Sequence, residues 1–497
     1  MRRRLLIANR GEIAIRILRA CRDLDIEPVV VYSEADRNAL HVRLASVAVP
    51  VGPAPARESY LVAEKLLVAA KATGCTLLHP GFGFLSENAA FAQAVLDSGL
   101  IWVGPSPKSI AAMGSKTESR ARMLAAGVPI VPGMTVPASG PDEIAAFAKE
   151  NGFPLLLKAA AGGGGKGMRV VRSEGEIASA FARARSEAKS FFADEAVYAE
   201  LFVEHPRHVE VQVLGDTAGR VIALGERECS LQRRHQKVVE ECPSAAVSPD
   251  LRKRMQDVAV AAARAVDYVS AGTVEFLLAA DGRFFFLEMN TRIQVEHPVT
   301  EMVYGVDIVK EMIRIALGEP ISIGEPEARG HAIECRIYAE DPANGFAPSP
   351  GILRAVRWPQ GPGIRIDAGV EAGDRVPLDY DPMLAKVIAW GRDRGEALVR
   401  MRRALLETRV EGIETSIPFF LDLLSNPDVV ANRISTQFLD TYVYTPPRHE
   451  PEARLEDLAL VAATHAAVAR ARLSRGAEGS PSPSAWRTAR PAFGPRD

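Results

Sequence analysis

Apolar residues in the first hundred positions come in short β-branched runs separated by helix-spaced stretches. Leu5–Ala8 is one run, ending in the turn Asn9-Arg10-Gly11. Glu12–Cys21 comes next with Ile13, Ile17 and Ala20 at helical spacing, and Pro28–Tyr32 is a second run. Leu77-Leu78 ends in the loop His79-Pro80-Gly81-Phe82-Gly83-Phe84, and Ile101–Val103 ends at Gly104-Pro105. Strands alternating with helices predict an α/β domain over residues 1–113, with a parallel sheet and functional loops at the strand C-termini.

The pattern then changes. Helices are expected at Lys116–Ala126 and Pro141–Asn151, followed by Pro154–Ala160, a glycine run and Met168–Val171. Residues 204–330 read as strand pairs with one long helix, Pro249–Val266. Residues 331–440 read as short strands broken by Gly and Pro, then a helix around Arg394–Glu407. After about Tyr444 an Ala-rich helical stretch, Leu455–Leu473, leads into Gly476–Pro483, whose composition suits a disordered tail. These shifts divide the chain at 113/114, 330/331 and 440/441.

Composition narrows the function classes. Of 497 residues, 60 are Lys or Arg and 62 Asp or Glu, so the formal net charge is -2. That balance argues against a general nucleic-acid or membrane-surface binder. No apolar run is long enough for a transmembrane helix, and the short apolar stretch after Arg2-Arg3-Arg4 does not suit a signal peptide. Five cysteines, none in a C-x-x-C pair, fit reduced thiols and a cytoplasmic location better than a disulfide framework or zinc site.

The run Gly162–Gly165 with Lys166-Gly167 formally matches G-x-G-x-x-G, but Met168–Val171 after it reads as a strand rather than a helix, and no Ser or Thr comes after the lysine. Dinucleotide and Walker assignments both fail. The remaining pattern, strand, glycine hairpin, strand, suits a loop lying across a nucleotide triphosphate, with Lys158 in reach of the same phosphates.

A second signal is Thr273–Asn290. Two apolar runs flank Asp281-Gly282, a hairpin turn pair that sets Glu275 opposite Glu288. Like charges facing each other in an apolar hairpin need a proton, a cationic side chain or a metal, and carboxylates with spare sites for phosphate oxygens suit Mg²⁺ or Mn²⁺. Continued as an extended strand, Glu288, Asn290, Arg292, Gln294 and Glu296 would line one face. His208-Val209-Glu210-Val211-Gln212 is a further alternating stripe, and Cys229–Lys237 is expected to be a basic loop suited to an anion.

Four of these segments together closely resemble biotin carboxylase: Ala8-Asn9-Arg10-Gly11-Glu12-Ile13-Ala14, His79–Asn88, Arg233-Arg234-His235-Gln236-Lys237 and Glu288–His297. The resemblance spans about residues 3 to 440. It implies a Rossmann-like preATP-grasp domain, an ATP-grasp core with a mobile lid at about 131–203, and a C-terminal biotin carboxylase domain. It also implies formation of carboxyphosphate from ATP and bicarbonate, then carboxylation of biotin on a carrier protein.

Carried across by position, the resemblance assigns Lys116, Lys158 and Gly163, Gly164 and Gly165 to the ATP phosphates. It assigns Glu200 and Val203 to the adenosine-facing hinge, with His208, Gln232 and His235 nearby. Glu275, Glu288 and Asn290 match the metal cluster, and Lys237, Arg292, Gln294, Val295 and Glu296 the bicarbonate site. Arg336 matches the arginine that steadies the biotin enolate. Glu296, near Arg292, is the expected base. The sequence departs from the familiar pattern at Phe82, where Tyr is common, at Leu201, where Lys is common, and at Lys166, where Arg is common. No Ala-Met-Lys-Met stretch is present, so two separate partners are expected: a biotin carboxyl carrier protein and a carboxyltransferase subunit. The family commonly forms homodimers. Another ATP-grasp ligase, or an inactive nucleotide-binding regulatory subunit, remain the alternatives.

Overall fold

The computed structural model describes residues 3–134, 136–159, 169–192, 195–324, 327–446 and 459–468. The first apolar runs are strands β1 (Arg4–Ile7), β2 (Glu27–Ser33), β3 (Val47–Gly52), β4 (Leu77–His79) and β5 (Ile101–Trp102), in a parallel sheet of order β3-β2-β1-β4-β5. They read as continuous apolar runs because both faces are covered. Leu5 and Ile7 pack with Ile13 and Ile17 of the helix Gly11–Asp23, whereas Leu6 packs with Leu66, Phe91 and Trp102. Strand order reverses at β1, which opens a crevice at the C-terminal ends of β1 and β4. Asn9 closes its floor by donating to the carbonyls of Pro80 and Phe82, 2.7 Å each. Gly81, at φ +66°, is required there: a Cβ would come within 2.8 Å of the Asn9 amide nitrogen.

A small antiparallel sheet comes next, ordered β7-β6-β8 from β6 (Leu155–Ala159), β7 (Arg169–Val171) and β8 (Val197–Leu201). Leu155 pairs with Val171 and Leu157 with Arg169. Helices Pro141–Asn151 and Ile177–Phe192 cover its apolar face through Ile144, Ile177, Phe181 and Ala184. The glycine run between β6 and β7, with Gly163, Gly164 and Gly165, lies outside the described residues.

The largest element is an eight-stranded sheet. Its strands are β9 (Arg207–Gly215), β10 (Val221–Arg233), β11 (Gln236–Cys242), β12 (Ser270–Leu278), β13 (Phe284–Asn290) and β14 (His331–Tyr338), completed by strands Met383–Gly391 and Ile364–Ala368. The order is β13-β12-β9-β10-β11-β14, then Met383–Gly391, then Ile364–Ala368. Alternation along β9 sorts its two faces. Val209, Val211 and Val213 pack with Met255, Ala259 and Ala262 of the helix Pro249–Arg264, leaving His208, Glu210 and Gln212 on the opposite side. That helix starts where the sequence provides a cap: Ser248 Oγ accepts from the Leu251 amide, and Pro249 occupies the first turn.

Four local expectations are corrected. Cys229–Lys237 is a tight β10–β11 hairpin rather than a loop; Arg234 and His235, at φ +52° and +64°, supply the left-handed turn a two-residue connection needs. The β12–β13 turn is wider than two residues, because Ala279 accepts from the Gly282 amide and donates to Arg283. An irregularity between Glu275 and Phe276 then shifts the register by one and restores Glu275 opposite Glu288. The polar ladder is not one strand: β13 ends at Asn290, and the chain turns before the helix His297–Tyr304. Within 331–440, two strands run eight and nine residues. They can be long because apolar Cys335, Ile337, Val387 and Ala389 bury against the helix Arg394–Glu407.

Residues 446–497 form a separate unit; within it, 459–468 are helical. No helix among the described residues is long and apolar enough to cross a membrane. All five cysteines are buried and free.

Candidate active site

Strand register assembles a row of charges across four strands: Glu288 on β13, Glu275 on β12, Glu210 on β9 and Arg227 on β10 are successive cross-strand partners. Neighbouring carboxylates in a buried row repel, and Lys237 on β11 resolves the repulsion. Its Nζ lies 2.5 Å from Glu210, 2.7 Å from Glu275 and 2.8 Å from Glu296, so all three donors of the ammonium are engaged. Burial alone would lower the lysine pKa; the three carboxylates outweigh it and raise it. Burial likewise pushes Glu210 and Glu275 up. Lys237 prevails at both, helped by Arg227 at Glu210 and by His208 at Glu275, and both carboxyls titrate well below the usual range. His208, 3.1 Å from Glu275, would be lowered by burial but is pushed up to about 9 by that carboxylate.

Arg227 is fully buried and satisfies its whole guanidinium. It donates to Glu210 (2.6 Å), Gln212 (2.8 Å), Thr300 (3.0 Å), Thr273 (3.1 Å) and the side-chain oxygen of Gln294 (2.6 Å). Gln294 is thereby oriented, and its amide nitrogen reaches Glu275 at 2.8 Å.

Glu296 occupies the N-cap position of His297–Tyr304, but its side chain turns to Lys237 and to Arg336, 3.0 Å away. Arg336 on β14 is shared with Glu240, 2.7 Å from its Nε. The two carboxylates compete. Burial pushes both up, Lys237 gives Glu296 a second cation, and Glu296 falls below the usual carboxylate range while Glu240 rises above it. Arg292 is held separately, by Glu87 (3.0 Å) and Asn290 (2.8 Å), rather than by Glu296. Glu87 comes from the loop after β4 and also accepts from the Thr291 amide, which ties the parallel sheet to this segment.

The remaining expected residues range from buried to exposed. Gln232 bonds to His208 at 3.1 Å, His235 is exposed in the hairpin turn, and Val295 is half-buried. Lys158 on β6 and Glu200 on β8 pair with each other, with Val203 just beyond β8. Lys116 opens the helix Lys116–Ala125; its side chain lies outside the described residues. Sequence reasoning gave no role to Glu210, Arg227, Glu240 or Glu87.

The donor set fits a hard divalent cation at one edge. Glu288 has no hydrogen bond or ion pair among the described residues, and partial desolvation at the sheet edge, together with the nearby Glu275 charge, raises its pKa. Asn290, bonded to Glu275 at 2.8 Å, stands beside it. Oxygen donors of this kind suit Mg²⁺ or Mn²⁺. Two tighter groupings, His208/Glu210/Glu275 and Glu210/Cys229/Glu296, have ligand atoms within 4.8 Å of one another. Their carboxylates already close around the Lys237 ammonium.

Comparison with known proteins accounts for this arrangement. The biotin carboxylase N-terminal domain model matches residues 1–110, and the biotin carboxylase C-terminal domain model matches 334–441. Between them, the carbamoyl-phosphate synthase L chain ATP-binding domain matches 115–323. Biotin carboxylase 1 of Bacillus subtilis is 50% identical over 89% of this chain and 99% of its own length. The biotin carboxylase of a Nostoc species is 49% identical over 88% of this chain and 98% of its own. A crystal structure of the biotin carboxylase domain dimer of Hydrogenobacter thermophilus 2-oxoglutarate carboxylase, in complex with MgADP, ADP and bicarbonate, aligns with a TM-score of 0.80. It is 42% identical and covers 89% of this chain and 100% of that one. The middle model alone is shared with carbamoyl-phosphate enzymes; the two flanking models and the full-length relatives decide the matter, and the chain belongs to the biotin carboxylase family.

Proposed function

We propose that Lys237, Arg292, Glu296 and Arg336 are the catalytic residues with which this ATP-dependent ligase carboxylates biotin on a carrier protein. The observation that carries the reading is the convergence of Lys237 and Arg336 on one buried carboxylate, Glu296. Bicarbonate is a poor nucleophile and needs a base. Glu296, held below the usual carboxylate range by its two cations, becomes a stronger base when an entering anion competes with it for Lys237. Arg292, Gln294, Val295 and Lys237 bind that anion, and Glu296 takes its proton within hydrogen-bond reach. The deprotonated bicarbonate oxygen attacks the γ-phosphoryl of ATP, the bridging P–O bond to the β-phosphate breaks with ADP as the leaving group, and carboxyphosphate results. The C–O bond of carboxyphosphate then breaks, the released phosphate takes the N1′ proton of biotin, the carboxyl carbon bonds to N1′, and Arg336 stabilises the negative charge developing on the ureido oxygen.

Lys116, Lys158, Gly163, Gly164 and Gly165 bind the ATP phosphates, and Glu200, Val203, His208, Gln232 and His235 face the nucleoside. Glu275, Glu288 and Asn290 would hold Mg²⁺ or Mn²⁺, which would supply charge neutralisation at the transferring phosphoryl group. Residues 1–113, 114–330 and 331–440 act as preATP-grasp, ATP-grasp and C-terminal domains, with 131–203 as the lid. The chain works as a homodimer and meets a biotin carboxyl carrier protein and a carboxyltransferase. Five buried free thiols agree with a cytoplasmic location.

The test is ADP release from Mg-ATP with free biotin, with and without bicarbonate. Turnover should require both, and Glu296→Gln should lower it by about 10²–10⁴-fold. Turnover indifferent to biotin but responsive to ammonia or an amine would replace the reading with another ATP-grasp ligase. Tight ATP binding with no turnover, even with carrier added, would favour a regulatory subunit.

A further inference from the structure

Lys386, in the strand Met383–Gly391, sits between Arg336 and Asp367 as their cross-strand partner on either side. Its side chain is fully buried. The ammonium makes ion pairs with Glu12 (3.1 Å) and Asp367 (3.8 Å), which come from the helix Gly11–Asp23 and the strand Ile364–Ala368. Its hydrogen bond, at 2.8 Å, goes to a main-chain group, the carbonyl oxygen of Val295. The preceding carbonyl, that of Gln294, accepts from Nδ1 of His297 at 2.8 Å. That ring is fully buried; burial and the nearby Lys386, Arg16 and Arg365 keep it neutral, its pKa well below the usual value. Two consecutive carbonyls of the segment that carries Gln294 and Glu296 are therefore held from beneath.

A buried ion pair is weak grounds for stability alone, since desolvation offsets much of the attraction. Packing alone would be served as well by methionine. What the ammonium adds is a directed bond to a non-regular stretch between β13 and the helix His297–Tyr304, a stretch with no ladder of its own to fix it. We infer that Lys386 is a positioning residue for bicarbonate, acting through the Gln294–Glu296 main chain. The inference rests on the reading of Arg292–Glu296 as the bicarbonate site, and it makes the geometry of that site depend on Glu12 and Asp367, outside the ATP-binding region.

The test is steady-state kinetics of full-length Lys386→Met/Glu12→Gln, in which the cation and one of its carboxylates are removed together so that no unpaired charge is left at Glu12. Glu12→Gln alone is the control, and Lys386→Gln, which keeps a neutral donor, is the second lysine variant. KM for bicarbonate should rise by about ten- to hundredfold in the double variant, because small displacements of a binding segment are costly, and less in Lys386→Gln. KM for ATP should stay within about twofold, since the nucleotide groups lie on other strands. Loss of folding alone would lower the active fraction and leave both KM values unchanged. A folded variant with the original KM for bicarbonate overturns the inference. Bicarbonate-dependent turnover that survives Glu296→Gln overturns instead the reading of the site, so the two failures are distinguishable.

Discussion

In the eight-stranded sheet, Glu210 and Arg227 are fully buried and Lys237 divides its three donors among three carboxylates. In the three-stranded sheet, Lys158 keeps 36% of its side chain exposed and has Glu200 as its ion-pair partner. On the proposed assignment of bicarbonate to the first sheet and ATP phosphates to the second, the difference tracks the size of what each side binds. Bicarbonate offers few contacts, so its site must be organised before it arrives, with dipoles and charges already in place. A nucleotide triphosphate brings many contacts of its own, so the residues meeting its phosphates can wait at a rim without an internal network.

Replacing Lys237 with methionine should break the rigid side most severely. It leaves Glu210, Glu275 and Glu296 without their shared cation, and removal of one buried partner costs about 3–5 kcal/mol. Urea denaturation should show the loss as a lower midpoint, and an unchanged midpoint would mean the carboxylates rearrange. Lys158→Met should do the reverse on the loose side. Its exposed pair contributes about 1 kcal/mol or less to stability, while KM for ATP should rise about tenfold as a phosphate contact is lost. A stability loss as large as that of Lys237→Met would erase the contrast. The smallest effect is a pH dependence confined to the sheet site. His208 is raised from its ordinary value to about 9, so the folded protein binds the extra proton. Its contribution is complete below about pH 6.5 and is lost as pH rises through about 9. Urea midpoints should therefore decline across that window, and His208→Gln should flatten the decline.

Four strands of the parallel sheet were legible as short apolar runs; the half-exposed edge strand β3, interrupted by Pro50, was not. The Glu275–Glu288 pairing was legible for a subtler reason. The two-residue turn assumed from Asp281-Gly282 was wrong by one, and an irregularity at Leu287 compensated for it. Arg292 to Glu296 misled in the opposite way: polar alternation suggested a strand, whereas the chain turns and delivers the same side chains from a loop. Arg227 and Glu240 were not legible as site residues. Each sits within a run of charged residues, Glu226-Arg227-Glu228 and Glu240-Glu241, and only cross-strand register tells which neighbour points inward. Lys386 was not legible either: its partner is a main-chain carbonyl 91 residues away, and no side-chain pattern encodes a bond of that kind.

The pairing of β11 with β14, Val239 opposite Cys335 and Glu240 opposite Glu334, has a consequence for building hybrid enzymes. The matches to known families stop at 323 and resume at 334, which invites exchange of the C-terminal third between relatives. Such a graft would replace three strands of a continuous eight-stranded sheet and join two parents across the β11–β14 seam, where cross-strand side-chain pairs must match. A transplant that keeps 204–445 together preserves this seam, and modules exchanged at residue 330 should lose stability in proportion to how far the parents differ where Leu231, Val238 and Val239 pack with Ile333 and Cys335.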